Sequence, residues 1–108
     1  MNPRPWEIWK AKPPGFEREH WFVIVSGPER CAEPRQLLLN GLACFTLRGD
    51  LRKSEVRLDS VDGFPGVTAC QCDFLYSIPK SILHSNIGFV AWERQQQIKN
   101  KLKEVFRL

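Results

Sequence analysis

The 108-residue sequence predicts a mainly β fold, a small antiparallel barrel of five to seven short strands followed by one C-terminal helix. Three observations predict it. Short apolar or alternating runs recur from Trp6 to Val90, proline and glycine break them repeatedly, and only the final segment carries a helical period.

Trp6 to Lys12 alternates, with Trp6 and Ile8 on one side and Glu7, Trp9 and Ala11 on the other, as a strand requires. Pro13-Pro14-Gly15 ends it, and a polar loop runs from Phe16 to Glu19. His20 to Ser26 holds the buried-strand run Trp-Phe-Val-Ile-Val and stops at Gly27-Pro28. Glu29 to Arg35 is expected to be a loop. Gln36 to Thr46 is apolar except at Asn40-Gly41, which predicts strands with a bend or bulge between them. Leu47 to Lys53 is a basic loop, and Ser54 to Leu58 reads as an edge strand. Turn signals at Asp62-Gly63 and Pro65-Gly66 precede a strand over Thr68 to Ser77, a short helical turn over Pro79 to Leu83 and a last strand over Ile87 to Val90. Trp92 to Phe106 places Ile98, Leu102, Val105 and Phe106 on one stripe, the pattern of an amphipathic helix. Ala91 offers this helix no side-chain cap.

Length and composition fit one domain over residues 1–108: 43% hydrophobic and 26% charged residues suffice for a single core and exclude a disordered chain. A net charge of +4 favours phosphate-bearing or acidic partners. Met1 to Pro5 has no apolar leader core, and the longest apolar run, Trp21 to Val25, is too short to cross a bilayer. These features predict a cytoplasmic location and no membrane partner. There Cys31, Cys44, Cys70 and Cys72 are expected as reduced thiols. Cys70 and Cys72 share a strand face, but they lack the paired Cys-x-x-Cys spacing of a structural zinc site, and no metal or other cofactor is expected. No phosphate-cradling glycine loop, nucleophile elbow or paired-histidine metal motif is present.

Four segments in this order resemble the PemK/MazF toxin family. They are Glu7-Ile8-Trp9 with Pro14-Gly15-Phe16-Glu17; the strand Phe22-Val23-Ile24-Val25-Ser26; Ala43-Cys44-Phe45-Thr46; and Cys72 to Leu83 followed by Ile87-Gly88-Phe89-Val90 and the helix. The resemblance spans nearly the whole chain and rests on order and spacing more than on any one motif. It implies a small SH3-like barrel. It also implies a homodimeric, metal-independent endoribonuclease that cuts single-stranded RNA and is inhibited by an antitoxin protein in a type II toxin–antitoxin system. Two other readings of the same fold are a catalytically silent RNA- or protein-binding relative and a gyrase-poisoning toxin.

The resemblance also selects residues. The family's arginine column before its second strand falls on His20, with Arg18 two residues earlier, and a later arginine column holds Tyr76. Thr46 matches the threonine that ends the family's third strand. His20 titrates near neutral pH and suits an acid or base in phosphoryl transfer. Arg18 suits a phosphate clamp because guanidinium is always charged and binds bidentately. Thr46 offers a hydroxyl to a phosphate oxygen. His20, Arg18 and Thr46 are therefore the candidate catalytic residues, expected in one pocket. Glu17, Arg48, Arg52 and Lys53 are the candidate RNA-binding residues, with Arg57 extending the basic patch. Trp6, Trp9, Phe16 and Trp21 are candidates for base stacking beside this patch, although most of them are expected in the core and the patch also reads as a solvated loop.

Overall fold

The computed structural model describes residues 2–108. The elements run β1 (Glu7–Ala11), β2 (His20–Ile24), α1 (Pro28–Ala32), β3 (Leu38–Thr46), β4 (Glu55–Leu58), β5 (Thr68–Gln71), β6 (Tyr76–Pro79), β7 (His84–Phe89) and α2 (Trp92–Phe106). Single 3₁₀ turns lie at Ser60–Asp62 and Lys80–Ile82. The strands form one antiparallel sheet in the order β4-β5-β3-β2-β1-β7, with β6 added to β3. The mainly β architecture, the strand number and the terminal helix match the expectation. The barrel is looser than expected, because β4 and β7 end the sheet without pairing to each other. α2 packs against β4. No described helix is long and apolar enough to cross a membrane.

The two-residue alternation of the strands sorts the core into two faces. One face carries Ile8, Val23, Leu42, Cys44, Val56, Leu58, Cys70 and Cys72, joined by Phe64, Val90 and Ile98 of α2. The opposite face carries Ala11, Phe22, Ala43 and Ile78 in one cluster and Trp9, Ile24, Cys31 and Leu39 in another. β1 is thus buried on both sides, which is why neither half of its alternating pattern is polar. All four cysteines are free thiols and buried. The Cys44 thiol beside Cys70, the Cys70 thiol beside Cys72 and, after these contacts, burial push both thiols well above their ordinary range.

Four local expectations change. Pro28–Ala32 is helical, not loop: Pro28 stands in the first turn, where its missing N–H costs nothing, and Cys31 is buried beneath. β3 is one continuous strand of nine residues. A Cβ on Gly41 would lie 2.9 Å from Ile78 Cδ1 and 3.2 Å from Phe22 Cβ, so this glycine permits close side-chain packing and does not turn the chain. The expected strand over Thr68 to Ser77 is divided into β5 and β6. Both share one edge of β3, β6 opposite Leu38 to Gly41 and β5 opposite Cys44 to Thr46, and the chain leaves that edge between them. β7 starts earlier than expected, at His84, because it pairs along β1 as far as Lys10.

One backbone crossing fixes the end of the sheet. Gly63 takes φ 109°, and a Cβ there would sit 2.5 Å from the Ile87 carbonyl oxygen. A Cβ on Gly88 would sit 2.0 Å from the Asp62 carbonyl oxygen. Two glycines facing each other let the Ser60–Asp62 turn lie directly on β7.

Candidate active site

β2 and β3 run antiparallel, with Trp21 opposite Cys44 and Phe22 opposite Ala43. The start of β2 therefore lies beside the end of β3, and His20, Phe45 and Thr46 meet at one end of the sheet. An open groove of about 770 Å³ lies over these strand ends. Glu19, His20, Trp21 and Cys44 to Arg48 form one wall, and Phe64 to Thr68 form the other. The second wall is distant from the first along the chain, so no local sequence pattern signals it. It is brought in by the β3–β5 pairing, Thr46 opposite Thr68 and Cys44 opposite Cys70.

His20 and Thr46 border the same groove from different faces of the sheet. The His20 ring packs on Phe45, with centroids 4.8 Å apart, and on Phe16 at 5.2 Å. Phe45 belongs to the face of Ala43, whereas Thr46 follows the alternation of Leu42 and Cys44. A group touching both must therefore lie across the strand ends. Partial burial lowers the His20 pKa below its ordinary 6.5, and the nearby Arg18 guanidinium lowers it further. The imidazole is therefore neutral at neutral pH, the form that accepts a proton.

The other candidates separate. Arg48 lines the groove and is exposed. Arg18 and Glu17 are exposed on the loop before β2 and do not form its walls. Arg52 and Lys53 lie outside the lining, where the Arg52 backbone N–H donates to Glu55 Oε1 at 2.9 Å. Arg57 is engaged by Asp59 at 3.5 Å. Of the four aromatic candidates, Trp9 is buried in the core, while Trp6 and Trp21 pack against the main cluster. Phe16 is half-buried beside His20.

Glu19, expected only as part of a polar loop, lines the groove. Its carboxylate pairs with the His84 imidazole on β7, tying the loop before β2 to the sheet edge. Adjacency to His20 was the one available sequence signal, since His84 is distant along the chain. Among the described residues, no three His, Cys, Asp or Glu side chains are arranged to hold a metal ion.

No protein-family model and no curated protein matches this chain. Solved structures do. A mycobacterial endoribonuclease in complex with its cognate antitoxin is similar at TM-score 0.82 and 18% identity, covering 98% of this chain and 96% of that one. The Mycobacterium tuberculosis toxin MazF-mt6 is similar at TM-score 0.79 and 21% identity, over 94% of this chain and 97% of that one. A chain of the MazE–MazF structure from Deinococcus radiodurans is also similar, at TM-score 0.76 and 12% identity, over 98% of this chain and 96% of that one. At such identities the likeness is one of fold.

Proposed function

We propose that this chain is a MazF-like endoribonuclease toxin that cuts single-stranded RNA without a metal ion, acts as a homodimer and is restrained by an antitoxin protein. The observation that carries this reading is the open groove at the ends of β2 and β3, lined by His20, Thr46 and Arg48, in a fold shared with endoribonuclease toxins.

The chemistry assigns each group a task. His20 takes the proton from a ribose 2′-hydroxyl as its oxygen attacks the adjacent phosphorus. The bond from phosphorus to the 5′-oxygen breaks and that oxygen takes a proton from solvent water, leaving a 2′,3′-cyclic phosphate on one product and a 5′-hydroxyl on the other, while His20 returns its proton to solvent. Arg18 and Arg48 offset the charge of the phosphate, and the Thr46 hydroxyl donates to one of its oxygens. Glu17, Arg52 and Lys53 lie farther out, where they affect the approach of the strand more than the reaction.

Purified protein incubated with single-stranded RNA and excess chelator should yield these two end groups. The rate should be flat at and above neutral pH and fall as the pH drops through the His20 pKa below 6.5, because protonation removes the base. A rate that rises on acidification contradicts His20 as the base. RNA binding without cleavage favours the catalytically silent reading.

A further inference from the structure

The groove does not account for a continuous row of aromatic rings that leaves it. Phe45 contacts His20 at 4.8 Å between centroids, His20 contacts Phe16 at 5.2 Å, Phe16 contacts Tyr76 at 5.1 Å, and Tyr76 contacts Phe74 at 4.5 Å. The rings come from the loop before β2, from β2, from β3, from the loop before β6 and from β6 itself. We propose that this row is a stacking track for the bases of single-stranded RNA, with Phe74 as the outer rung that takes one unpaired nucleobase. The proposal rests on the ribonuclease reading of the groove and extends it to how the strand is held.

Three features carry it. The inner rings are anchored: Phe16, Phe45 and Tyr76 pack against the cluster of Ala11, Phe22, Ala43 and Ile78 and remain only partly buried. A ring held this way loses little freedom when a base settles on it. Phe74, by contrast, is 57% exposed beside Leu75 at 40%, an apolar surface on the loop before β6, where Asp73 is exposed as well. The row is also continuous with the groove. It shares His20 with the groove wall and has Arg18 close to that ring, so a strand whose phosphate lies in the groove finds aromatic surface in one direction. Alternating cationic and aromatic contacts are what single strands require, because every base has a π-face and every linkage a charge.

The test uses two single-stranded oligodeoxynucleotides of equal length and charge, one carrying bases and one wholly abasic. Both lack the 2′-hydroxyl nucleophile and stay intact. The unmodified protein should bind the base-bearing strand more tightly than the abasic one. Phe74→Ala should weaken binding of the base-bearing strand about tenfold and leave abasic binding unchanged, since one stacked base is lost and no phosphate contact is touched. The salt dependence of binding should be the same for both proteins. Phe74→Trp should keep the affinity, and its indole emission should change when a base stacks on it. Equal binding by Phe74→Ala and the unmodified protein overturns the track. So does a parallel loss for both strands, or a sedimentation shift showing that Phe74 holds two copies of the chain together. RNA cleavage, measured on the same preparations, decides the ribonuclease reading separately.

Discussion

His20→Ala should cut RNA at least about a hundredfold more slowly than the unmodified protein, with the fold intact. The expectation follows from the position of the ring. It lies at the first residue of β2, is only partly buried, and rests on Phe16 and Phe45 outside the three buried clusters. Truncating it removes a proton acceptor without opening a core cavity. His20→Gln sharpens the result, because it keeps a polar side chain of similar reach but cannot titrate in this range. Its residual rate should lose the acidic fall described above. Arg18→Ala should mainly weaken RNA binding, as expected of a phosphate contact. Thr46→Ala should lower the rate less than His20→Ala. The double variant measures whether the two act on one phosphate, given that they approach from opposite sheet faces. Groups that contact the same phosphate should couple, so the combined loss should be smaller than the product of the single losses. Multiplicative losses separate Thr46 from the reacting phosphate. Undiminished cleavage by His20→Ala transfers the base role to another groove residue, with Glu19 the first to examine.

What could be read in advance was what local chemistry decides. α2 was legible from Trp92 to Phe106 because its period needs no knowledge of the rest of the chain. β1, β2 and β4 were legible because turn residues bound them. α1 was missed because its five residues are too few to display a period, and Pro28 reads equally as a turn. The division between β5 and β6 was missed for a different reason. Cys72 to Leu75 contains neither glycine nor proline, and the interruption arises because β3 offers its edge to two segments in turn. The site divides the same way. The nearness of His20 to the end of β3 follows from antiparallel pairing of consecutive strands, whereas the Phe64 to Thr68 wall, the Glu19–His84 pair and the ring contacts to Phe74 depend on distant segments meeting. The Gly63–Gly88 crossing and the carboxylates beside it belong to that second group.

Those carboxylates define the second large expected effect, on stability. Arg94→Ala should destabilise the fold by about 3 kcal/mol or more, because it leaves a buried carboxylate without its cation. The Asp62 side chain is fully buried. It accepts from the Asp59 backbone N–H at 3.0 Å and from the Ala91 backbone N–H at 2.8 Å, and it receives a charged bond from Arg94 Nη1. Asp59 accepts from Arg94 Nη1 at 2.7 Å and Nη2 at 2.9 Å. One guanidinium thus clamps the Ser60–Asp62 turn to the first turn of α2. This supplies the anchoring that Ala91 cannot, and it places negative charge where the helix dipole favours it. Loss of the clamp should lower the melting temperature by roughly 12 °C or more. Arg94→Lys should fall between the two, since it keeps the charge and loses the two-pronged geometry. Acid titration gives an independent readout. The Arg94 bond draws the Asp59 carboxyl from its ordinary 3.8 down to about 2, so its stabilising contribution is complete above about pH 4 and is lost as pH falls towards 2. In Arg94→Ala this acid-sensitive step should shrink, because the main cause of the shift is gone. A melting temperature within about 3 °C of the unmodified protein, with the acid step unchanged, would show that packing of Ile98 and Leu102 holds the helix in place without the clamp.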